Sequence, residues 1–173
     1  GVLLVNQGKY AEAKEYYAEA LKANRRLLGD AHPDTLRSIA NMGSLLTQQG
    51  KYEEAMPYHI ESMEGFRQVL GDEHPQTLHS ISYMGLLFVN QGKYNEAMPY
   101  YHEALEGRRH VLGDEHPLTL NSIHNMGIVL KNQGKYDEAL AHYTEALEGQ
   151  RRVLGEEHPS TLNSIHNMGI VLK

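Results

Sequence analysis

A chain of 173 residues with 16 Lys+Arg against 22 Asp+Glu, a formal net charge of −6 and no cysteine is poorly suited to nucleic acid or an anionic membrane surface, since either selects a basic face. Disulfides and thiolate metal sites are excluded, and the missing cysteines fit a reducing compartment such as the cytoplasm. No apolar run approaches the ~20 residues needed to span a bilayer, and Gly1-Val2-Leu3-Leu4-Val5 is too short, and lacks the charged flank, for a signal peptide.

The first punctuation along the chain is Gln7-Gly8-Lys9-Tyr10, and it returns at Gln49-Gly50-Lys51-Tyr52, Gln91-Gly92-Lys93-Tyr94 and Gln133-Gly134-Lys135-Tyr136, so the glycines at 8, 50, 92 and 134 are 42 apart. A fixed period of this size marks a stacked repeat protein, in which each unit contacts only its neighbours. Each copy joins two apolar-periodic segments and places Gly where a helix stops, which predicts the corner of a helical hairpin. Before it, residues 1–7 read as half a helix. Gly1-Val2-Leu3-Leu4 aligns with Gly127-Ile128-Val129-Leu130 in mid-helix, and Val171-Leu172-Lys173 aligns with Val129-Leu130-Lys131. Both ends therefore read as cut from a longer array.

After the first corner a helix is expected from about Tyr10 to Leu28. Ala11, Ala13, Tyr17, Ala20, Leu21, Asn24 and Leu28 recur at steps of three and four and draw one packed stripe. Glu12 near its start and Arg25-Arg26 near its end suit the helix dipole. Gly29 closes it, and Asp30-Ala31-His32-Pro33 leads into the next helix, with Pro33 at the first helical position and His32 pushed out of the α region as a natural cap. That helix is expected over roughly 33–49. The same grammar then predicts helices at about 52–70, 75–91, 94–112, 117–133, 136–154 and 159–173, without a linker or low-complexity segment. The domain organisation is a single repeat domain over 1–173: a partial repeat 1–31, full repeats 32–73, 74–115 and 116–157, and a partial repeat 158–173.

Small residues stand where helix backbones have to approach. Gly43, Gly85, Gly127 and Gly169 lie midway in first helices, and Gly65, Gly107 and Gly149 near the far ends of second helices. A mid-helix Gly costs ~1 kcal/mol relative to Ala, so its return in each unit implies that a larger side chain would clash. Pro57 and Pro99 each fall within about one turn of a helix start, where few intrahelical N–H bonds are lost.

The run Asn125-Met126-Gly127 with Leu130, Gly134, Tyr136, Glu138-Ala139, Tyr143 and Ala146-Leu147 resembles the tetratricopeptide repeat, a helix–turn–helix unit usually of 34 residues. Arg151 stands where that repeat usually has its closing proline. The second helix instead continues to Leu154, and the Leu-Gly-Asp-Glu-His-Pro linkage is similar to that of kinesin light chain-type repeats. The resemblance covers the chain from end to end. It implies an all-α fold, an α-solenoid of stacked antiparallel helix pairs forming a right-handed superhelix, with the first helix of each pair lining a concave groove. The implied peptide-binding face carries Arg37, His79, Asn121 and Asn163; Ala40, Ser82, His124 and His166; Asn41, Tyr83, Asn125 and Asn167; Ser44, Leu86, Ile128 and Ile170; Thr47, Val89 and Lys131; and Gln48, Asn90 and Asn132.

The Asn row is the sharpest of these, because an amide offers a donor and an acceptor that can pair with an extended peptide backbone of any sequence. In the resembled family an Asn at this place often does so; Asn41, Asn125 and Asn167 match and Tyr83 does not. The competing reading is that the amides bond within or between helices. Ala40 and Ser44 stand where a clamp for a terminal carboxylate needs polar or basic side chains, which argues against such a clamp. His32, His74, His116 and His158 precede proline and read as caps. His124 and His166 share a face one repeat apart, but helix packing separates equivalent atoms by about 10 Å against metal bonds of ~2 Å, so one metal between them is not expected. Tyr17, Tyr101 and Tyr143, aligned with His59, read as packing. No nucleophile–base pair, phosphate loop or metal motif appears, which argues against an enzyme and against a cofactor. The expected function is a protein-interaction scaffold holding a partner peptide in the groove. Two alternatives stand beside it: end-to-end self-association through apolar strips at Val2-Leu3 and around Ile165, Met168 and Leu172, or a docking segment of a larger signalling protein.

Overall fold

A computed structural model describes residues 10–173. The half-helix expected at 1–7, its stop at Gly8 and the strip at Val2-Leu3 lie outside the described residues. Among the described residues the elements are helices: α1 (Tyr10–Leu28), α2 (Pro33–Gln48), α3 (Tyr52–Leu70), α4 (Pro75–Asn90), α5 (Tyr94–Leu112), α6 (Pro117–Asn132), α7 (Tyr136–Leu154) and α8 (Pro159–Val171). The all-α expectation holds, and every helix starts where the sequence places it. The chain divides into two compact units, residues 1–91 and 92–173, with α1–α4 in the first and α5–α8 in the second.

The starts of α2, α4, α6 and α8 share one device. His32 is extended (φ −71°, ψ 138°), as a residue before proline must be, and its Nδ1 accepts from the Asp34 backbone N–H at 3.1 Å. His74, His116 and His158 do the same for Gln76, Leu118 and Ser160. The imidazole thus does the work that Ser or Asp usually does at an N-cap, satisfying a donor that the helix leaves unpaired. One turn in, Thr35 and Thr77 donate at 2.7 Å to the carbonyls of Gly29 and Gly71, tying each loop to the helix it feeds. Arg25 and Arg67 reach across the same loops to Asp30 and Asp72.

The helices α2, α4 and α6 each end one residue before the expected place. At the end of α2, Gln49 serves as the C-cap, Gly50 adopts φ +73°, its N–H donates to the Thr47 carbonyl at 3.0 Å, and the Lys51 N–H reaches the Leu46 carbonyl at 2.9 Å. This pairing is a Schellman motif, and a side chain at Gly50 would oppose the left-handed φ that it needs. Residues 133–135 repeat it in the second unit. Within each unit the short connections make consecutive helices antiparallel neighbours. Pro57 lies past the first turn of α3 rather than within it, so it removes one ladder bond; it points to solvent and α3 runs on through it.

The glycine reading is borne out at Gly43, Gly65, Gly127 and Gly149, but not at Gly169, where a Cβ would meet nothing within 4 Å among the described residues. A Cβ on Gly43 would lie 3.0 Å from the His59 ring, one on Gly127 2.7 Å from the Tyr143 ring, and those on Gly65 and Gly149 2.3 Å from Leu36 and Leu120 respectively. Each close approach joins a first helix to a second one. Around these contacts the first unit buries Leu21, Leu36, Ile39, Met42 and Phe66 together, and the second buries Leu130, Ala139 and Tyr143. The core is therefore a seam along the helix pairs, which leaves the exposed faces of the first helices for other use.

Candidate functional site

In the first unit, α2 and α4 are successive first helices with α3 behind them. Between them lies a cavity of 210 Å³ lined by Arg37, Ala40 and Asn41 of α2, Phe66 of α3, and Gln76, His79, Ser80 and Tyr83 of α4. Four residues expected on the peptide-binding face, Arg37, Asn41, His79 and Tyr83, meet here. Tyr83 is its wall: its ring stacks on buried His59 (centroids 6.0 Å apart, planes 19° apart) and is met by His79 at 4.7 Å. Arg37 stands at the rim with Asp34 at 2.8 Å, so its charge is partly neutralised. The Asn41 amide is half-buried.

His59 supports this wall from beneath. Its Nε2 lies 2.9 Å from Thr47 Oγ1, whose hydroxyl donates to the Gly43 carbonyl at 2.9 Å. Thr47 therefore accepts from an Nε2–H, which leaves Nδ1 as a bare lone pair, buried and unpartnered. Burial lowers the His59 pKa to about 4. Thr47, expected on the groove face, is instead buried against His59, because its hydroxyl serves its own helix and the ring behind it.

The second unit repeats this geometry with other side chains. His124, in register with Ala40, is 6% exposed. Ser164 donates to Gln150 Oε1 at 2.7 Å, so its oxygen accepts from His124 Nδ1–H at 2.8 Å. The other ring nitrogen, Nε2, then accepts from the Asn167 amide at 3.3 Å, while Asn167 Oδ1 takes the Lys131 ammonium at 3.2 Å. This chain of partners fixes a neutral, Nδ1-protonated imidazole. Desolvation and the Lys131 charge lower its pKa to about 4. Tyr143 packs against it at 5.2 Å with its hydroxyl buried and unpartnered, and burial raises the Tyr143 pKa to about 12.

Two expected groove residues, His124 and Asn167, are thereby corrected: they are engaged with each other between α6 and α8, the competing reading for that part of the Asn row. Helical spacing puts them on the right face, but their side chains lie across the interhelical gap rather than out of it. Asn121, Asn132, Asn163 and His166 are exposed, Asn125 and Ile128 half-buried. In the first unit Asn90 is exposed and Leu86 is 39% exposed. Asn163 also receives the Asn167 amide through its backbone and side-chain oxygens.

Phe66 is the site residue that groove spacing alone does not find, because it comes from a second helix. Its equivalents are Asn24, Arg108 and Gln150, and each of those bonds a serine on the facing first helix: Ser38 at 2.9 Å, Ser122, and Ser164. Phe66 cannot. Ser80 turns back to the Thr77 carbonyl at 2.8 Å, and the crevice is left open with an aromatic floor. Its signal in the sequence is one apolar residue in an otherwise polar column.

Comparison with known proteins agrees with the helical-repeat reading. A family model described as tetratricopeptide repeat matches residues 1–59, 37–99, 81–151 and 121–173. The sequence has no match among curated proteins. Among solved structures, BtubC (BKLC) from P. vanneervenii superposes with a TM-score of 0.85 at 20% identity, over 98% of this chain and 67% of that one. A putative kinesin light chain of nearly identical TPR-like repeats from Podosopora anserina superposes with a TM-score of 0.81 at 24% identity, over 97% and 80%. A variant of that protein superposes at 0.82, also with 24% identity, over 97% and 79%. At these identities the likeness is one of fold.

Proposed function

The chain belongs to the tetratricopeptide repeat family, whose members generally serve as scaffolds for protein–protein interaction, and from that premise we propose that it binds a peptide segment of a partner protein by inserting one side chain into the cavity between α2 and α4. The observation that carries this reading is the meeting of Arg37, Asn41, His79 and Tyr83 around a 210 Å³ space with Phe66 at its floor. Apolar walls with a few polar groups at the rim are what a side-chain pocket requires. Asn41 supplies an amide for the peptide backbone, and in the second unit Asn125 offers the same group. Tyr83 is stacked on buried His59 and Phe66 is buried in the core of the first unit, so little ordering cost falls on the receptor. The net charge of −6 disfavours nucleic acid as the partner, and a binding rather than catalytic role in the cytoplasm fits both the site chemistry and the absence of cysteine. The working repeat boundaries are 32–73, 74–115 and 116–157, with partial repeats on either side.

The test is to pan a random peptide library against the chain and titrate the recovered peptide by fluorescence anisotropy. Tyr83→Asn and Ala40→His place in the first unit the residues that the second carries at 167 and 124. Each is expected to weaken binding about tenfold or more, the scale of an interface hot spot, while Gln68→Ala on a second helix leaves it unchanged. A recovered peptide indifferent to both pocket changes would show that the cavity is not the binding site.

A further inference from the structure

A second surface lies on the other side of the first unit, between the second helices α1 and α3. Ala18, Leu21, Lys22, Arg25 and Arg26 of α1 face a groove of 610 Å³ that is closed by Met42 of α2, Tyr58 of α3 and the loop residue Asp30. The five α1 residues fall at i, i+3, i+4, i+7 and i+8, the spacing of a complete helix-packing stripe. Its floor is apolar, with Leu21 and Met42 buried and Tyr58 half-buried. Its rim is cationic in a chain whose net charge is −6. Arg25 is held by Asp30 and Glu61, which leaves Lys22 and Arg26 exposed along the groove.

The other repeats do not build this. Where α1 has Lys22, the equivalent positions carry Glu64, Glu106 and Glu148; where it has Ala18, they carry Ile60, His102 and Thr144. Two departures in one helix, a charge reversal and a loss of bulk, both act on the same groove. One widens it and the other makes it attract carboxylates. A structural role does not call for either, since the repeat folds with Glu and a larger side chain at those places.

We propose that the α1–α3 groove is a docking surface for an acidic amphipathic helix of a partner protein, separate from the Tyr83 cavity. The apolar face of such a helix covers Leu21, Met42 and Tyr58, ridges between ridges as helices pack, and its carboxylates pair with Lys22 and Arg26. A helix fits better than a small anion because the groove is elongated along α1 and floored by apolar side chains, which a bare phosphate leaves uncovered.

The probe is a fluorescein-labelled, stapled helical peptide with leucines at helical spacing and glutamates between them, read by anisotropy; a second probe carries lysines in place of the glutamates. The glutamate probe is expected to bind, to weaken with added salt, to weaken about tenfold with Lys22→Glu, where an attraction becomes a repulsion, and to weaken again with Ala18→Ile. The lysine probe does not bind, and Tyr83→Asn changes nothing. Both groove variants introduce residues found at these positions in other repeats, and circular dichroism confirms that they fold. The proposal is overturned if the glutamate probe fails to bind or binds the Lys22→Glu variant equally well. Full displacement by inorganic phosphate would make this a small-anion site instead. A wild-type dimer in sedimentation equilibrium that Lys22→Glu dissociates would make the occupant a second copy of the chain.

Discussion

The crevice between α2 and α4 and its counterpart between α6 and α8 occupy the same place in the repeat, yet one is hollow and the other is filled. Ala40, Phe66 and Tyr83 leave 210 Å³ in the first; His124, Gln150 and Asn167 stand at the equivalent positions in the second and are tied together through Ser164. The two differ in whether the side chains reaching into the crevice are polar enough to bond one another. A bonded network buries polar groups without cost only when all are satisfied, and Phe66 removes the partner that Ser80 would need. On the function proposed above, the binding cavity is the place where the internal polar pairing lapses.

The largest expected effect concerns the histidine that each crevice buries, His59 in the first unit and His124 in the second. Both have folded pKa values lowered to about 4 from 6.5. The unfolded chain therefore binds more protons than the folded one between these values, and stability falls as pH drops from 6.5 toward 4, with the full contribution present above 6.5. The loss is on the order of 3 kcal/mol per histidine across that window, at about 1.4 kcal/mol per pKa unit. Urea unfolding at neutral pH and near pH 4.5 measures it. His59→Tyr, which installs the residue found at 17, 101 and 143, should remove the first unit's share. If that variant loses as much stability in acid as the wild type, the burial argument for His59 is wrong.

Next in size is the tightness behind each crevice. Gly127→Ala brings a Cβ to 2.7 Å from the Tyr143 ring, whereas Gly43→Ala comes to 3.0 Å from the smaller His59 ring. Alanine gains ~1 kcal/mol in helix propensity and overpacking costs about 1–3 kcal/mol. The Gly127 change should therefore be net destabilising and the Gly43 change close to neutral. Chemical denaturation of the two variants side by side checks this, and equal effects would mean that the two seams are equally tight.

The hollow crevice can also be converted. Ala40→His, Phe66→Gln and Tyr83→Asn together transplant the second unit's side chains onto Ser80, which already matches Ser164. The triple variant should stay folded and lose peptide affinity by about tenfold, roughly 1.4 kcal/mol. Retained affinity would place the binding energy outside the cavity.

Much of this architecture is legible in the sequence. His-Pro and Gln-Gly-Lys-Tyr mark the helix ends because a pre-proline cap and a left-handed glycine have few alternatives. Helical spacing brings Arg37, Asn41, His79 and Tyr83 to one face, and they do share a cavity. It does not reveal that His124 and Asn167 are buried, since a period of three to four assigns a face and says nothing about how far a side chain reaches across the gap to the next helix. Thr47 departs from expectation for the same reason: its hydroxyl bonds back to Gly43 and to His59. Phe66 and the α1–α3 groove show only down a column of equivalent positions, where one residue breaks the habit of the others.

The smallest effect tests how far the comparison extends along the repeat. Gly169 is equivalent to Gly127, but a Cβ there meets nothing within 4 Å among the described residues, because Tyr143 of α7 covers Gly127 and no described second helix covers the same face of α8. With no neighbour to offend, only helix propensity acts, and Gly169→Ala should stabilise the chain by a few tenths of a kcal/mol up to about 1 kcal/mol. Thermal unfolding at two protein concentrations measures it. A gain independent of concentration means that the face of α8 is uncovered in solution. A loss that grows with concentration would mean that another molecule packs against Gly169 as Tyr143 packs against Gly127, turning the exposed Leu162 and Ile165 into part of a self-association surface.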